Sequence, residues 1–189
     1  MERTLSTIPG LSIITDYIST AQESELTRQI DTNPWITSMK RRLQHYGYIY
    51  DYRRRTVDPS MYLGHLPQWL MPLAAQMHTE GYFPAMPDQC IVNEYEPGQG
   101  ISPHVDCEPC FGDVIASLSL LSGCMMHFDH MRESRRVSVY LTPRSLVVMT
   151  GEARYGWKHS IPGRLTDKLE GGSVKRTRRL AGTCRTVVV

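Results

Sequence analysis

Hydrophobic and polar positions divide this chain into an N-terminal part with two helical patterns and a C-terminal part of short strands. In the first helical pattern Leu26 and Ile30 fall on one face, and Ser19 or Thr20 is a suitable N-cap. In the second, Pro67 falls in the first turn, a position that tolerates proline. The elements predicted up to residue 89 are a short strand at Leu11–Ile14, helices at Ser19–Ile30 and Leu66–Thr79, and a strand or hairpin at Leu43–Tyr52.

From about residue 90 the hydrophobic runs become short and are separated by Pro, Gly and Asp, which is typical of a β-sandwich or barrel. The predicted strands are Cys90–Tyr95, Gly100–Asp106, Val114–Leu121, Cys124–His130, Val137–Leu141, Ser145–Thr150 and Arg179–Val189. Residues 132–136 are predicted to form a hairpin tip, and residues 164–178 a mobile loop. Helices before strands predict an α+β fold, with residues 1–89 covering a double-sheet jelly roll of residues 90–189.

Composition indicates one globular domain: the chain has 189 residues, of which 41% are hydrophobic and 21% charged, with a net charge of +2. That charge is too small to indicate a polyanion partner by itself. Basic residues nevertheless cluster at positions 40–42, 53–55 and 175–179, either as phosphate-binding patches or as solvated surface. Because there is neither a signal-peptide pattern nor an apolar run of membrane-spanning length, we expect a cytoplasmic protein (nuclear if eukaryotic) without membrane contact. We also expect a monomer.

The five cysteines are an odd number, which does not suggest a disulfide framework. Cys107 and Cys110 form a CxxC pair with no second pair at zinc-finger spacing. We therefore interpret them as free thiols in a reducing cytoplasm rather than as a zinc or redox site.

His104, Asp106 and His159 have the spacing of a 2-His-1-carboxylate triad, which binds Fe(II) and leaves positions open for substrate and oxygen. On a strand, His104 and Asp106 would point to the same face. A lone HxD pair is common by chance, but His159 follows a hydrophobic strand and a glycine-bounded segment. This placement predicts that His159 lies at a strand end near the mouth of the barrel.

Two further strands carry polar residues at period two. Arg179 and Arg185 share one face of the last strand, where they either bind a small dianion or block aggregation at an exposed edge. Asn93 and Tyr95 share a face of an earlier strand and can hydrogen-bond a carboxylate.

Together these motifs resemble the AlkB family of Fe(II)/2-oxoglutarate dioxygenases. The resemblance covers roughly residues 90–189, in family order, and is carried by residues 93–106, 115–120 and 144–159 and by the Arg179…Arg185 pair. The motifs EPGQGI and MTGEARY are most similar to those of the branch that includes the animal tRNA wobble-uridine hydroxylase and related bacterial proteins. Gly182 and Cys184 depart from the bulkier residues expected there, which affects the pocket size but not the arginines.

The resemblance implies roles for individual residues. His104, Asp106 and His159 would bind iron and carry the catalysis, Arg179 would pair with the distal carboxylate of 2-oxoglutarate, and Arg185 would face the carboxylate nearer the metal. Asn93 and Tyr95 would complete the cosubstrate site. The segment 44–48 resembles the entry to a nucleotide-recognition lid. Glu108 is a candidate contact to the target base, and Trp157 either packs on that base or fills the core. Tyr46, Tyr48, Tyr50 and Tyr52 are candidates for base stacking, with Arg53–Arg55 on phosphates, or else for ordinary strand packing.

The implied cofactors are Fe(II), 2-oxoglutarate and O2, and the implied partner is alkylated DNA or RNA. The first hypothesis is oxidative demethylation of bases such as 1-methyladenine or 3-methylcytosine, which is alkylation repair. The alternatives are hydroxylation of a tRNA wobble-uridine side chain, oxidation of a protein side chain, and a catalytically silent binding module. The complete set of iron ligands and arginines disfavours the last of these.

Overall fold

The structure, a computed structural model, describes residues 2–5 and 7–189. Its strands are β1 (Glu2–Leu5), β2 (Leu11–Thr15), β3 (Leu43–Tyr46), β4 (Gln89–Tyr95), β5 (Ile101–His104), β6 (Phe111–Leu120), β7 (Cys124–His130), β8 (Arg136–Leu141), β9 (Leu146–Met149), β10 (Trp157–Ile161), β11 (Thr166–Leu169), β12 (Gly172–Lys175) and β13 (Arg179–Val187). Its helices are α1 (Thr20–Thr32), α2 (Met71–Thr79) and α3 (Gly151–Tyr155), with a 3-10 turn at Pro59–Met61.

Two antiparallel sheets form the body of the protein. The larger has seven strands in the order β1-β2-β9-β6-β13-β4-β3, and the smaller has four in the order β5-β10-β7-β8. Hydrophobic side chains from both sheets meet in one inner cluster, for example Ile115 and Ala181 from the larger sheet with Phe128 and Ile161 from the smaller. This arrangement confirms the predicted α+β fold with a jelly-roll core.

Alternation along the central strands gives the larger sheet two buried faces. In β13, Leu180 and Cys184 belong to an outer cluster that the helices α1 and α2 cover, whereas Ala181 belongs to the inner cluster between the sheets. The N-terminal helices therefore seal the outer face. Side chains alternate along each strand, so the positions that do not face the helices point to the inner face, where polar residues can lie.

The first helix agrees with the prediction, and the second is shorter than predicted. Ser19 and Gln22 form a reciprocal capping box at the start of α1. Helix α2 begins at Met71, because the Pro67 carbonyl accepts hydrogen bonds from the backbone N–H groups of Leu70 and Met71 in a separate turn. The prediction from Leu66 onwards was therefore about one turn too long.

The segment Leu43–Tyr52, predicted as a strand or hairpin, forms a strand only as far as Tyr46. Gly47 has a φ of +79°, and a Cβ atom there would lie 1.8 Å from the carbonyl oxygen of Asp88, so only glycine fits. Beyond Gly47 the chain folds back on itself through isolated bridges between Tyr48 and Tyr62 and between Asp51 and Thr56. We call residues 47–65 the lid segment.

The predicted loop at residues 164–178 contains a hairpin, β11 and β12. Arg176 pairs there with the fully buried Asp167 at 2.6 Å and 2.7 Å and donates to the Pro162 carbonyl. The expectation of a loop without strands was wrong, because a buried ion pair across a short hairpin leaves no periodic signal in the sequence. Its expected mobility stays a prediction. Strand β10 was also not among the predicted strands.

Cys107 and Cys110 form a disulfide, so the expectation of free thiols was wrong for this pair. A turn after Asp106 brings their Cα atoms to 5.3 Å, within bonding range. Cys90, Cys124 and Cys184 are free and buried. Among the described residues, no helix has the length and apolar character needed to cross a membrane.

Candidate active site

A cavity of about 380 Å³ opens between the two sheets. Seven residues that the sequence analysis assigned to iron and cosubstrate line it: Asn93, Tyr95, His104, Asp106, His159, Arg179 and Arg185. They come from the neighbouring strands β4 and β13 of the larger sheet and from the β5–β10 edge of the smaller sheet. The fold therefore brings together residues that are up to 92 positions apart, from Asn93 to Arg185.

The two histidines lie side by side on adjacent strands. His104 of β5 and His159 of β10 are register partners, and their ring centroids are 4.3 Å apart. The Nδ1 atom of His104 lies 2.8 Å from the Ser102 carbonyl oxygen, so its N–H donates to that oxygen. This assignment leaves Nε2 of His104 available as a metal ligand.

Asp106 lies just beyond the end of β5, because the strand stops at His104 and not at Asp106 as predicted. Its Oδ2 atom is 3.8 Å from Nε2 of His159, and its Oδ1 atom accepts a 2.9 Å hydrogen bond from Arg185. The carboxylate therefore faces the histidines although its backbone is outside the regular strand.

The backbone around Asp106 is fixed by a buried arginine of α3. Arg154 donates to the carbonyl oxygens of Asp106 at 3.0 Å and Cys107 at 3.3 Å. The Cys107–Cys110 disulfide restrains the chain directly after the carboxylate. The sequence analysis missed Arg154, since nothing local distinguishes it from a solvated helix residue.

Protonation of the cluster suits a metal cation. Burial lowers the pKa of His159 to about 4, so its imidazole is neutral at pH 7. Burial raises the pKa of Asp106, but Arg185 and the two histidines outweigh it and leave the pKa at about 2. Neutral imidazole and ionised carboxylate are the forms that bind metals, and two histidines with one carboxylate are the set typical of non-haem Fe(II). The residues present fit Fe(II).

Arg179 lies at the far end of the cavity with part of its guanidinium unpaired. Its Nη2 atom donates to Ser119 Oγ at 2.7 Å, and its Cζ atom is 5.4 Å from the Tyr95 ring centroid. Its Nε and Nη1 atoms are buried and have no hydrogen-bond partner among the described residues. Because buried polar groups are normally satisfied, this guanidinium fits the carboxylate of a bound anion.

Arg185 lies on the same face of β13, but both of its Nη atoms are paired within the protein, and only its Nε atom has no partner among the described residues. It donates to Asp106 at 2.9 Å and to Oε1 of Gln89 at 3.1 Å. The structure thus places Arg185 against an expected iron ligand. Its implied contact to the nearer carboxylate of 2-oxoglutarate stays a prediction.

Arg41 is a cavity residue that the sequence analysis did not single out. Its Nε atom donates to Oδ1 of Asn93 at 2.9 Å, and its Cζ atom lies 5.9 Å from the ring centroid of Tyr52 and 6.0 Å from that of Tyr95. The only sequence signal was its membership of the basic cluster at positions 40–42. Residues 52 positions apart had to meet before its role was visible.

The four candidate substrate residues lie outside the cavity lining, and their substrate roles stay predictions. Tyr46 packs edge-on against Trp69, and Tyr48 packs against Tyr62. Glu108 is exposed. Trp157 is fully buried in the inner cluster and donates its indole N–H to Glu152. Of the tyrosines in the lid segment, Tyr50 and Tyr52 line the cavity, together with Arg55.

The family profile of the 2OG-Fe(II) oxygenase superfamily matches residues 10–185. An Arabidopsis thaliana protein named "Alkylated DNA repair protein ALKBH8 homolog" is 36% identical over 203 residues, covering 95% of this chain and 59% of the relative. A mouse protein named "tRNA (carboxymethyluridine(34)-5-O)-methyltransferase ALKBH8" is 39% identical over 170 residues, covering 86% of this chain. This chain spans only 26% of the mouse relative's length.

The solved structure of OsALKBH1 superimposes with a TM-score of 0.77, covering 98% of this chain and 100% of that one. At 13% identity this similarity supports the fold alone. The profile match and the relatives above lead to one conclusion: the chain belongs to the AlkB family within the 2OG-Fe(II) oxygenase superfamily, whose dioxygenases use Fe(II), 2-oxoglutarate and O2.

Proposed function

We propose that this domain uses Fe(II), 2-oxoglutarate and O2 to oxidise an alkyl group on a nucleic-acid base. The observation that carries the proposal is the buried Arg179, whose unpaired N–H groups share one cavity with His104, Asp106 and His159. A buried cation with unpaired N–H groups beside a candidate metal-binding triad fits a 2-oxoacid cosubstrate whose carboxylate pairs with the cation while the cosubstrate binds next to iron.

Each residue of the cavity has a distinct task in this proposal. His104, Asp106 and His159 hold the iron, and Arg185 fixes the orientation of the Asp106 carboxylate. Arg179 binds the distal carboxylate of 2-oxoglutarate, with Ser119 fixing the guanidinium. When bound, Fe(II) and 2-oxoglutarate supply the activation of O2, with succinate and carbon dioxide as by-products.

The target base has to leave its stack to reach this cavity. A base inside a duplex cannot contact a metal buried between two sheets, so it is flipped out or taken from a single strand. Tyr50 and Tyr52 line the cavity and offer aromatic faces, and Arg55 is an exposed cation at its edge. Aromatic rings with adjacent cations are typical of single-strand binding.

Charge distinguishes the candidate bases. 1-Methyladenine and 3-methylcytosine are cations at neutral pH. Burying a cation costs free energy, because it loses its hydration, unless a nearby anion compensates for that loss. Among the described residues that line the cavity, Asp106 is the sole carboxylate, and Arg185 already pairs with it. Arg41 and Arg55 add positive charge, and Glu108 is exposed outside the lining.

These charges favour a neutral or anionic base. A uridine whose C5 side chain carries a carboxylate would meet Arg41 where a methylated adenine would be repelled. The name of the mouse relative includes carboxymethyluridine, a base of this kind. We therefore rank uridine side-chain hydroxylation in RNA above removal of N-methyl groups, reversing the order that the sequence alone suggests.

Mass spectrometry of RNA oligonucleotides tests the proposal. Oligonucleotides with 5-carboxymethyluridine, 1-methyladenine or 3-methylcytosine would be incubated with the protein, Fe(II), ascorbate and 2-oxoglutarate, with Asp106→Ala as control. We expect the uridine to gain one oxygen atom in an Asp106-dependent manner. Loss of a methylene unit from the other bases would instead identify demethylation. Turnover of 2-oxoglutarate with all three bases unchanged would move the substrate to another class, such as a protein side chain.

Arg41→Gln separates the two nucleic-acid substrates. It keeps a hydrogen-bond donor for Asn93 but removes the charge near Tyr52 and Tyr95. We expect roughly tenfold weaker turnover of the carboxylate-bearing uridine, from the loss of one charge-assisted hydrogen bond. Turnover of a methylated cytosine would stay equal or increase. Equal losses on both would show that Arg41 does not discriminate by charge.

A further inference from the structure

A second concave surface lies next to the active-site cavity and is not used by the proposed chemistry. It is a groove of about 790 Å³ on the outer face of the smaller sheet. Because His159 and Phe128 point inward as register partners, the neighbouring partners His127 and Ser160 point outward and form its floor. Residues 98–103 and 162–164 form its sides.

The groove borders the active-site cavity. Arg41, Ile101, Ser102 and Ile161 line both. A ligand could therefore occupy the two at once, with one part in the cavity and the remainder along the smaller sheet.

The charge of the groove is positive. Its charged lining residues within the described chain are Lys40, Arg41, Arg136 and Arg164, with no carboxylate among the lining. Asp129 neutralises Arg136 at 2.5 Å. Asp167 lies 3.9 Å from Arg164 but belongs chiefly to Arg176 at 2.6 Å. The exposed Lys40 forms no ion pair with a carboxylate of residues 7–189.

The floor of the groove holds its hydrogen-bonding groups in a fixed arrangement. Arg164 lies 3.2 Å from Nε2 of His127, and arginine has no acceptor, so the histidine nitrogen accepts. The other ring nitrogen then donates to Ser138 at 2.7 Å. The guanidinium of Arg164 is thereby oriented across the groove before any ligand arrives.

We propose that this groove binds the phosphates of a single polynucleotide strand on one side of the base that enters the cavity, with Lys40 and Arg164 as its main contacts. The inference rests on the proposed function for the position of the base. Its own basis is a basic groove that borders the catalytic cavity, in which Arg164 is only partly neutralised and Lys40 has no ion-pair partner within residues 7–189. Such a groove binds by charge and without sequence preference.

Fluorescence anisotropy with unmodified, labelled single-stranded RNA tests the groove without any oxidation step. Lys40→Glu is compared with Arg28→Glu, which changes the net charge equally on the exposed face of α1, where Arg28 forms an ion pair with Glu25. We expect Lys40→Glu to weaken binding roughly tenfold or more at low salt, and Arg28→Glu to weaken it far less. Equal Kd values for the two variants would overturn the groove, because net charge alone would then explain binding.

Salt dependence provides the second measurement. The double variant Lys40→Gln/Arg164→Gln should lower the slope of log K against log salt by about 1.4, since each phosphate contact on a single strand contributes about 0.7. A slope like that of the wild type would overturn the assignment of these two cations. If the groove variants lose RNA selectively but no base is oxidised, the proposed function fails while the groove stands. If bases are oxidised and the groove variants bind normally, only the groove fails.

Discussion

The two ends of one strand face show how the same residue type acquires opposite roles. Arg179 and Arg185 are both buried on the inner face of β13. Arg185 pairs through both Nη atoms, with Asp106 and Gln89, and leaves only Nε without a partner among the described residues, whereas Arg179 leaves both Nε and Nη1 without one. Arg185 is therefore neutralised inside the protein, and under the proposed function Arg179 would be neutralised by a bound anion. Period-two spacing predicts that both point inward but not which one is free.

The largest effect is expected from removing the carboxylate of Asp106, which Arg185 shares with the proposed iron site. Asp106→Ala should abolish iron binding and reduce 2-oxoglutarate turnover by at least about a thousandfold, since one ligand of three is lost. It also leaves Arg185 unpaired, which costs on the order of 3 kcal/mol in the free energy of unfolding. Turnover and urea unfolding measure the two effects. Asp113→Ala, which removes an exposed carboxylate bound to Tyr155, is the control and should leave turnover intact.

The second-largest effect is expected from removing Arg185, the cation that pairs with Asp106. Arg185→Met leaves the Asp106 carboxylate buried and unpaired, so we expect destabilisation of roughly 3 kcal/mol in urea unfolding. The pKa of Asp106 should also rise from its value of about 2 towards and beyond its ordinary 3.8. In the wild type, the stabilisation from this low pKa is present above pH 3.8 and is lost as the pH falls towards 2. Acid unfolding of the variant should therefore begin at higher pH. An unchanged acid limb would contradict the pairing.

Arg179→Met provides the contrast. The affinity for 2-oxoglutarate should fall roughly thirtyfold, corresponding to about 2 kcal/mol for a lost charge-assisted contact. The free energy of unfolding of the cosubstrate-free protein should fall little or even rise, because Arg179 lacks an ion-pair partner to lose. Isothermal titration and urea unfolding give both numbers. Destabilisation as large as in Arg185→Met would remove the distinction between the two arginines.

The smallest effect concerns the residue that orients Arg179. Ser119→Ala removes the 2.7 Å hydrogen bond to its Nη2 atom. We expect a rise of a few-fold in the KM for 2-oxoglutarate, equivalent to about 1 kcal/mol, with kcat nearly unchanged. Ser117→Ala is the matched control: Ser117 lies two residues before Ser119 on β6, and the substitution removes its contact to Thr183 instead. A loss confined to kcat would show that Ser119 acts on the chemical step and not on cosubstrate binding.

The sequence was most informative where one strand carried the signal. Period-two positions predicted that Arg179 and Arg185 share one strand face and that Asn93 and Tyr95 share another. The family resemblance implied a common cosubstrate site, and all four residues line one cavity. The HxD spacing predicted a cluster that the structure assembles, although Asp106 lies beyond its strand. Here local geometry and long-range pairing agree, so a pattern within a few residues was sufficient.

The sequence was least informative where distant segments meet. Arg41 reaches Asn93 across 52 positions, and Asp167 pairs with Arg176 inside a hairpin that appeared to be a loop. The tyrosines of the lid segment could not be assigned to faces, because the positive φ of Gly47 interrupts the alternation. Tyr46 therefore packs against Trp69, while Tyr50 and Tyr52 reach the cavity.

Gly47 also has a consequence for how such an enzyme can diversify. The backbone on its C-terminal side closes on itself through short bridges, while the iron and cosubstrate residues are held by the ladders of β4, β5, β10 and β13. If the proposed function is correct, the aromatic residues that contact the base lie in a different stretch of the sequence from the residues that hold iron and cosubstrate. We therefore expect mutations between residues 48 and 65 to change which base is accepted while leaving the oxidising centre intact. We expect this interval to be the productive place for library-based redesign of substrate range.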